Sequence, residues 1–141
     1  MDLKTTYLGL ELKNPIVVGA CPLCTSVDSI KALEAAGAAA IVLPSLFEEE
    51  ILAAARGVME MEAAGAGFAE AGSYMPNPEG YHIGPGQYLD HLKAAKEAVA
   101  VPVIGSLNGT SVGGWTNYSK KMEHAGAEAL ELNNYLIPFY T

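Results

Sequence analysis

Cationic residues are scarce in this chain: eight Lys and Arg stand against sixteen Asp and Glu, for a net charge of −8. Binding to nucleic acid rests on neutralising phosphates, and the few cations are scattered, with only Lys120 and Lys121 adjacent, so no nucleic-acid partner is expected. Cysteine is nearly absent, with two in 141 residues, which rules out a disulfide framework and favours free thiols. Long apolar runs are missing too. The longest, around Ala35 to Phe47, is interrupted by Pro44 and is too short to span a bilayer, so no membrane partner is expected. The start, Met1-Asp-Leu-Lys-Thr-Thr6, is polar and lacks the apolar core of a signal peptide, which makes the cytoplasm the expected compartment. Half of the residues are nonetheless hydrophobic, ample for a folded core and for one domain over residues 1–141.

What the chain does contain is a phrase written twice. Glu34-Ala-Ala-Gly-Ala-Ala-Ala-Ile-Val-Leu43 returns as Glu123-His-Ala-Gly-Ala-Glu-Ala-Leu-Glu-Leu132. Each copy reads as a helix end, a Gly just beyond it and a buried strand. Upstream of each stands a Pro and another apolar run, Pro15-Ile-Val-Val-Gly19 and Pro102-Val-Ile-Gly105. The repeated unit is therefore strand, helix, strand, the parallel βαβ module. Two units provide four strands, about half of a closed eight-stranded barrel. The chain ends at Thr141, where a third unit would have to begin.

Along the chain, Tyr7 to Lys13 alternates around a Gly and reads as a hairpin, closing an opening segment of residues 1–14. First βα units follow over 15–64: a strand from Ile16 to Ala20, a helix capped by Asp28 or Ser29 and running to Ala36, a strand from Ala40 to Leu43, and a helix from Glu48 to about Ala64. Residues 65–87, with Pro76, Pro78, Pro85 and several Gly, form a loop excursion that breaks the rhythm. Later units occupy 88–141, with a helix near Gln87 to Ala98, a strand from Pro102 to Leu107, a helix from Gly113 or Thr116 to His124, and a strand from Ala129 to Asn133.

In parallel β/α folds the ligand site forms at the carboxyl ends of the strands, where the loops converge. Four places qualify: Gly19-Ala20-Cys21, Pro44-Ser45, Ser106-Leu107-Asn108-Gly109 and Asn133-Asn134. Their side chains are small, hydroxyl or carboxamide. Carboxamides both donate and accept, which suits a flat heterocycle with mixed edges, and Gly and Ala let a ring approach the backbone. These ends carry no His pair, carboxylate pair, Lys or Ser-His-Asp set, which disfavours hydrolysis, aldolase and phosphate-sugar chemistry. The asparagines also have a plainer reading as turn residues, and Ser45 and Ser106 as helix caps. Cys21-Pro-Leu-Cys24 is formally a CxxC between a strand and a helix, which admits a thiol redox module, but it lacks the second ligand pair of a zinc site, and no metal is expected. Asn108 to Gly114 is glycine-rich yet matches neither nucleotide-binding pattern, so it reads as a loop closing a strand onto a helix. His82 reads as a loop residue and Trp115 as a helix-start anchor.

At these residues the chain resembles the dihydroorotate dehydrogenase family of flavin-dependent (β/α)8 TIM-type barrels. The pieces that carry the resemblance are Thr5 to Pro15, Val18-Gly-Ala-Cys21, Ser45-Leu-Phe-Glu-Glu49, Pro102-Val-Ile-Gly-Ser-Leu-Asn-Gly109 and Ala125-Gly-Ala-Glu-Ala-Leu-Glu-Leu-Asn133. The resemblance implies an incomplete barrel, its amino-terminal half, with FMN as cofactor lying against Gly19, Ala20 and Cys21. It implies that Asn108 and Asn133 hydrogen-bond the flavin, and that Asn133 also meets the substrate, a pyrimidine-like small molecule. The implied reaction is hydride transfer between flavin and a carbon–carbon bond beside a carbonyl. Two positions depart from the family pattern: Pro44 stands where many members carry a lysine, and Leu136 where they carry a Cys or Ser base. Catalytic residues are accordingly left unassigned. A half-barrel leaves strand edges open, so self-association or a complementary half-barrel is expected, and a truncated, non-catalytic half-barrel is the alternative to an active enzyme.

Overall fold

The computed structural model describes residues 2–48, 51–52, 84–109 and 112–133, with the side chains of 112–115 excepted. A short antiparallel ribbon comes first, β1 (Thr5–Tyr7) paired with β2 (Leu10–Leu12). Leu8 and Gly9 both take positive φ, 52° and 78°, the primed-turn geometry whose twist matches that of the strands it joins. The ribbon is followed by β3 (Val17–Val18), a 3-10 turn (Pro22–Thr25), α1 (Val27–Ala35) and β4 (Ala40–Phe47). Beyond these lie α2 (Pro85–Ala98), β5 (Val103–Asn108), α3 (Val112–His124) and β6 (Ala129–Asn133). Strands β3, β4, β5 and β6 form one sheet in that order, each parallel to its neighbour.

The repeated phrase folds into the same backbone motif twice. Gly37 and Gly126 both sit at positive φ, 109° and 102°, a conformation that glycine adopts without Cβ strain. The Gly37 amide donates to the Glu34 carbonyl and Ala38 to Leu33, as Gly126 does to Glu123 and Ala127 to Met122. This paired closure satisfies carbonyls left open at each helix end and turns the chain into the next strand. Asn14 ties the first copy to the ribbon's exit: its Nδ2 donates to the Gly37 carbonyl, and its Oδ1 accepts from the Ile16 amide.

Helices cover one face of the sheet. Ile30 of α1, Leu92 and Ala95 of α2 and Met122 of α3 pack with Ile41, Leu43, Leu46, Val103 and Leu107 in one buried cluster. On the opposite face a second apolar cluster lies near the strands' amino ends, where Val17, Ala40, Val42, Ile104 and Ala129 meet Leu10 and Leu12 of the ribbon. The period of two in a strand makes this division clean.

Four sequence expectations are corrected. The strand expected over Ile16 to Ala20 is confined to Val17–Val18, so Gly19 and Ala20 are loop. The strand expected to end at Leu43 continues to Phe47, through Pro44. Its register slips between Val42, opposite Ile104, and Ser45, opposite Ser106. Two residues, Leu43 and Pro44, thus face Gly105 alone, and a bulge of this kind tolerates a residue without an N–H. The cap of α1 is Ser26, whose Oγ accepts from the Ser29 amide at 3.2 Å, and not Asp28 or Ser29. The helix expected from Gln87 begins at Pro85, where proline's missing N–H costs nothing. Most of the helix expected over 48–64 and of the 65–87 excursion lies outside the described residues.

Candidate functional site

The bulge at Leu43 and Pro44 decides what the open face displays. Regular alternation from Ala40 and Val42 would place Pro44 and Leu46 on that face. One inserted residue inverts the parity, so that Ser45 joins Ser106 and Glu131 in a single row across three strands. The next row toward the carboxyl ends is Phe47, Asn108 and Asn133. Ascending the open face, apolar residues thus give way to a Ser-Ser-Glu layer and then to two carboxamides.

Hydrogen-bond chemistry orders the polar layer. Ser106 is fully buried, and its Oγ lies 2.9 Å from Glu131 Oε1 and 2.8 Å from Ser45 Oγ. An ionised carboxylate only accepts, so Ser106 spends its single hydroxyl proton on Glu131 and accepts from Ser45. Asn133 Nδ2 donates to Glu131 Oε1 at 3.0 Å and to Ser106 Oγ at 3.3 Å. From the helix side, the hydroxyl of Tyr88 brackets the Ser106 backbone, accepting from its N–H at 2.9 Å and donating to its carbonyl at 3.3 Å. Burial, with Glu131's negative charge as a smaller contribution, pushes the Tyr88 hydroxyl pKa up to about 12.

Both asparagines anticipated from the sequence, Asn108 and Asn133, are brought together, directly opposite one another in the β5–β6 ladder. Asn108 Oδ1 is buried and has no hydrogen-bond partner among the described residues. Gly19, Ala20 and Cys21 follow β3, separated from β5 by β4; Gly19 and Ala20 are exposed and Cys21 is half-buried. A Cβ on Gly19 would meet nothing within 4 Å. Ser45 and Ser106 are not helix caps, as the plain reading had them, but strand residues of the polar layer. Leu107 points into the helix-side core, and the Gly109 amide extends the ladder to the Asn133 carbonyl at 3.3 Å. Asn134, Leu136, His82 and the side chain of Trp115 lie outside the described residues.

Two groups escaped the sequence reading. Glu131 was legible in principle, as a lone charge between Leu130 and Leu132 in an otherwise apolar strand. Tyr88 carried no such signal, because a helical aromatic is ordinarily core. The cysteines remain thiols with Sγ atoms 3.8 Å apart. Burial, then the contact with Cys21, raises the Cys24 thiol to about 12, far from the thiolate that exchange requires. Cys24 instead reaches back to the Gly19 carbonyl, at 3.9 Å, and His91 Nε2 holds the Cys24 carbonyl at 2.9 Å. Among the described residues, no group of three His, Cys, Asp or Glu could hold a metal ion, and no helix is long and apolar enough to cross a membrane.

No family model matches the chain. The chain is 32% identical over 134 residues to the catalytic subunit of dihydroorotate dehydrogenase B (NAD(+)) from Thermoplasma volcanium, a match covering 94% of this chain. It is 28% identical over 133 residues, again 94% of the chain, to the protein of the same description from Thermoplasma acidophilum. In both cases it spans 41% of the relative's length. The chain is thus similar in sequence to dihydroorotate dehydrogenase catalytic subunits, matched along most of its own length and along a minor part of theirs.

Proposed function

We propose that this chain forms the first βα units of a dihydroorotate dehydrogenase-type (β/α)8 barrel and supplies one side of an FMN-dependent dehydrogenase site. The observation that carries this reading is the row of Asn108 and Asn133 above the Ser45–Ser106–Glu131 layer, at the carboxyl ends of parallel strands. The residues fit a flavin. Asn108 Oδ1 is a buried acceptor in want of a donor, and a flavin offers a ring N–H. The open space at Gly19 lets a flat ring lie against the backbone of Gly19, Ala20 and Cys21. Asn108 and Asn133 would hold the polar edge of the ring, with Asn133 also meeting a pyrimidine-like substrate. Bound there, FMN would supply the two-electron chemistry that exchanges hydride with a carbon–carbon bond beside a carbonyl. The chain's own residues orient, exclude water and set hydrogen-bond polarity.

Titration of the purified chain with FMN, read by quenching of flavin fluorescence, tests the reading. Saturable quenching is expected. Asn108→Leu removes an unpaired buried acceptor and keeps the branched outline of the side chain, so thermal stability should hold or rise while FMN affinity falls by about tenfold. Equal affinity in the variant, or no saturable quenching in the parent chain, would contradict it.

A second reading rests on the sheet edges. Among the described residues, strands β3 and β6 are outermost in the sheet, and Leu132 of β6 is half exposed. An eight-stranded barrel pairs both edges. On this reading the chain completes its sheet by self-association or with a complementary half-barrel, and is inactive alone. Light scattering on a sizing column should then find dimers or larger species; a monodisperse monomer would count against it.

A further inference from the structure

Glu131 closes the polar layer at its β6 end, and its chemistry constrains the residue above it. Asn133's carboxamide can be turned two ways, exchanging the places of its oxygen and its nitrogen. Its neighbours do. Glu131 Oε1, 3.0 Å away, accepts and cannot donate, so nitrogen must face it. Ser106 cannot reward the opposite orientation either, because its one proton is held by Glu131 at 2.9 Å and Ser45 sits on its acceptor side at 2.8 Å. Nδ2 is therefore committed downward into the layer, and Oδ1 is turned away from it.

We infer that Glu131 is a positioning residue, locking Asn133 as a hydrogen-bond acceptor so that the Asn108–Asn133 row selects a ring edge that donates. Asn108 presents its own unpartnered Oδ1 directly across the ladder, so two carbonyl oxygens share one row. A heterocycle with an imide or lactam N–H matches that row; an edge made only of acceptors does not. This inference rests on the proposed flavin and substrate site for its ligand, but the orientation of Asn133 is a property of the chain alone.

The test has two arms, both on the full chain. In the first, side-chain carboxamide signals of Asn133 are recorded by ¹⁵N–¹H correlation without any ligand. Glu131→Gln, equal in shape, introduces an amide that can also donate, so the Asn133 signals should shift and broaden as both orientations become populated. Unchanged signals would overturn the inference. In the second, FMN affinity is measured in Glu131→Gln with Asn133 intact and with Asn133→Ala. A loss of about tenfold is expected in the first background and none in the second, since Glu131 acts through Asn133. The same loss in both backgrounds would make Glu131 merely structural and overturn the inference. If the parent chain does not bind FMN, the functional reading fails, and the carboxamide signals alone decide the role of Glu131. Should Glu131→Gln not fold, Glu131→Asp, which withdraws the carboxylate from Asn133, takes its place with the same readouts.

Discussion

Replacing Tyr88 with Phe is expected to lower stability by about 2–3 kcal/mol, with a fall of roughly 5–10 °C in Tm. The ring stays in the core, so no large cavity term enters. What is lost is one hydroxyl that serves both the N–H and the carbonyl of Ser106. This is where β4 bulges and Leu43 and Pro44 share one partner residue, and Pro44 brings no N–H of its own. Buried backbone groups left without partners cost about 1–3 kcal/mol each. The same hydroxyl makes stability sensitive to alkali. Its pKa is ordinarily 10 and about 12 in the fold, so the folded chain holds its proton where the unfolded chain releases it. Stability from this group is full below pH 10 and is lost as pH rises toward 12, by on the order of 2–3 kcal/mol. Cys24, also raised to about 12 from 9.0, adds a decline of the same sign. Urea denaturation of parent and Tyr88→Phe between pH 8 and 12, a range set by these pKa values, should show a shallower alkaline decline in the variant. Parallel declines would remove Tyr88 from the account.

Gly19→Val is expected to separate the site from the fold. A Cβ at Gly19 meets no atom within 4 Å, the residue is exposed, and its φ is not in the left-handed range. Stability should therefore change by no more than about 0.5 kcal/mol. If a flat ring lies against this backbone, the branched side chain stands in its place, and FMN affinity should drop by more than about tenfold. Calorimetric Tm and fluorescence titration of the same preparation check both halves. Unaltered FMN binding would move the ring away from β3.

The sequence and the structure agree wherever a local signal had a single physical meaning. The repeat centred on Gly37 and Gly126 was legible because a positive-φ residue after a helix and before an apolar run has few other uses. Ala129–Asn133 was legible for the same reason, being bounded by that cap. Pro44 misled, since proline ordinarily ends a strand, and the bulge that accommodates it depends on pairing with β5, a contact 61 residues away in sequence between Ser45 and Ser106. The first strand was over-read because Ile16 to Ala20 is apolar throughout, although only Val17 and Val18 find partners on β4. Asn108 and Asn133 were found from position, whereas the Ser45–Ser106–Glu131 layer beneath them was not. Which side chains share a row is fixed by strand register, and register is not written in any one strand.

The central claim, that the carboxyl ends of β3, β5 and β6 hold a flavin, is tested most directly by mapping FMN-induced shifts in the ¹⁵N–¹H spectrum of the full chain. The account predicts saturating changes at Gly19, Ala20 and Cys21 and at Asn108 and Asn133, with Leu10, Leu12 and Ala40 at the opposite end of the open face unmoved. Shifts confined to that opposite end or to the helices, or no shifts at any FMN concentration reached, would contradict it.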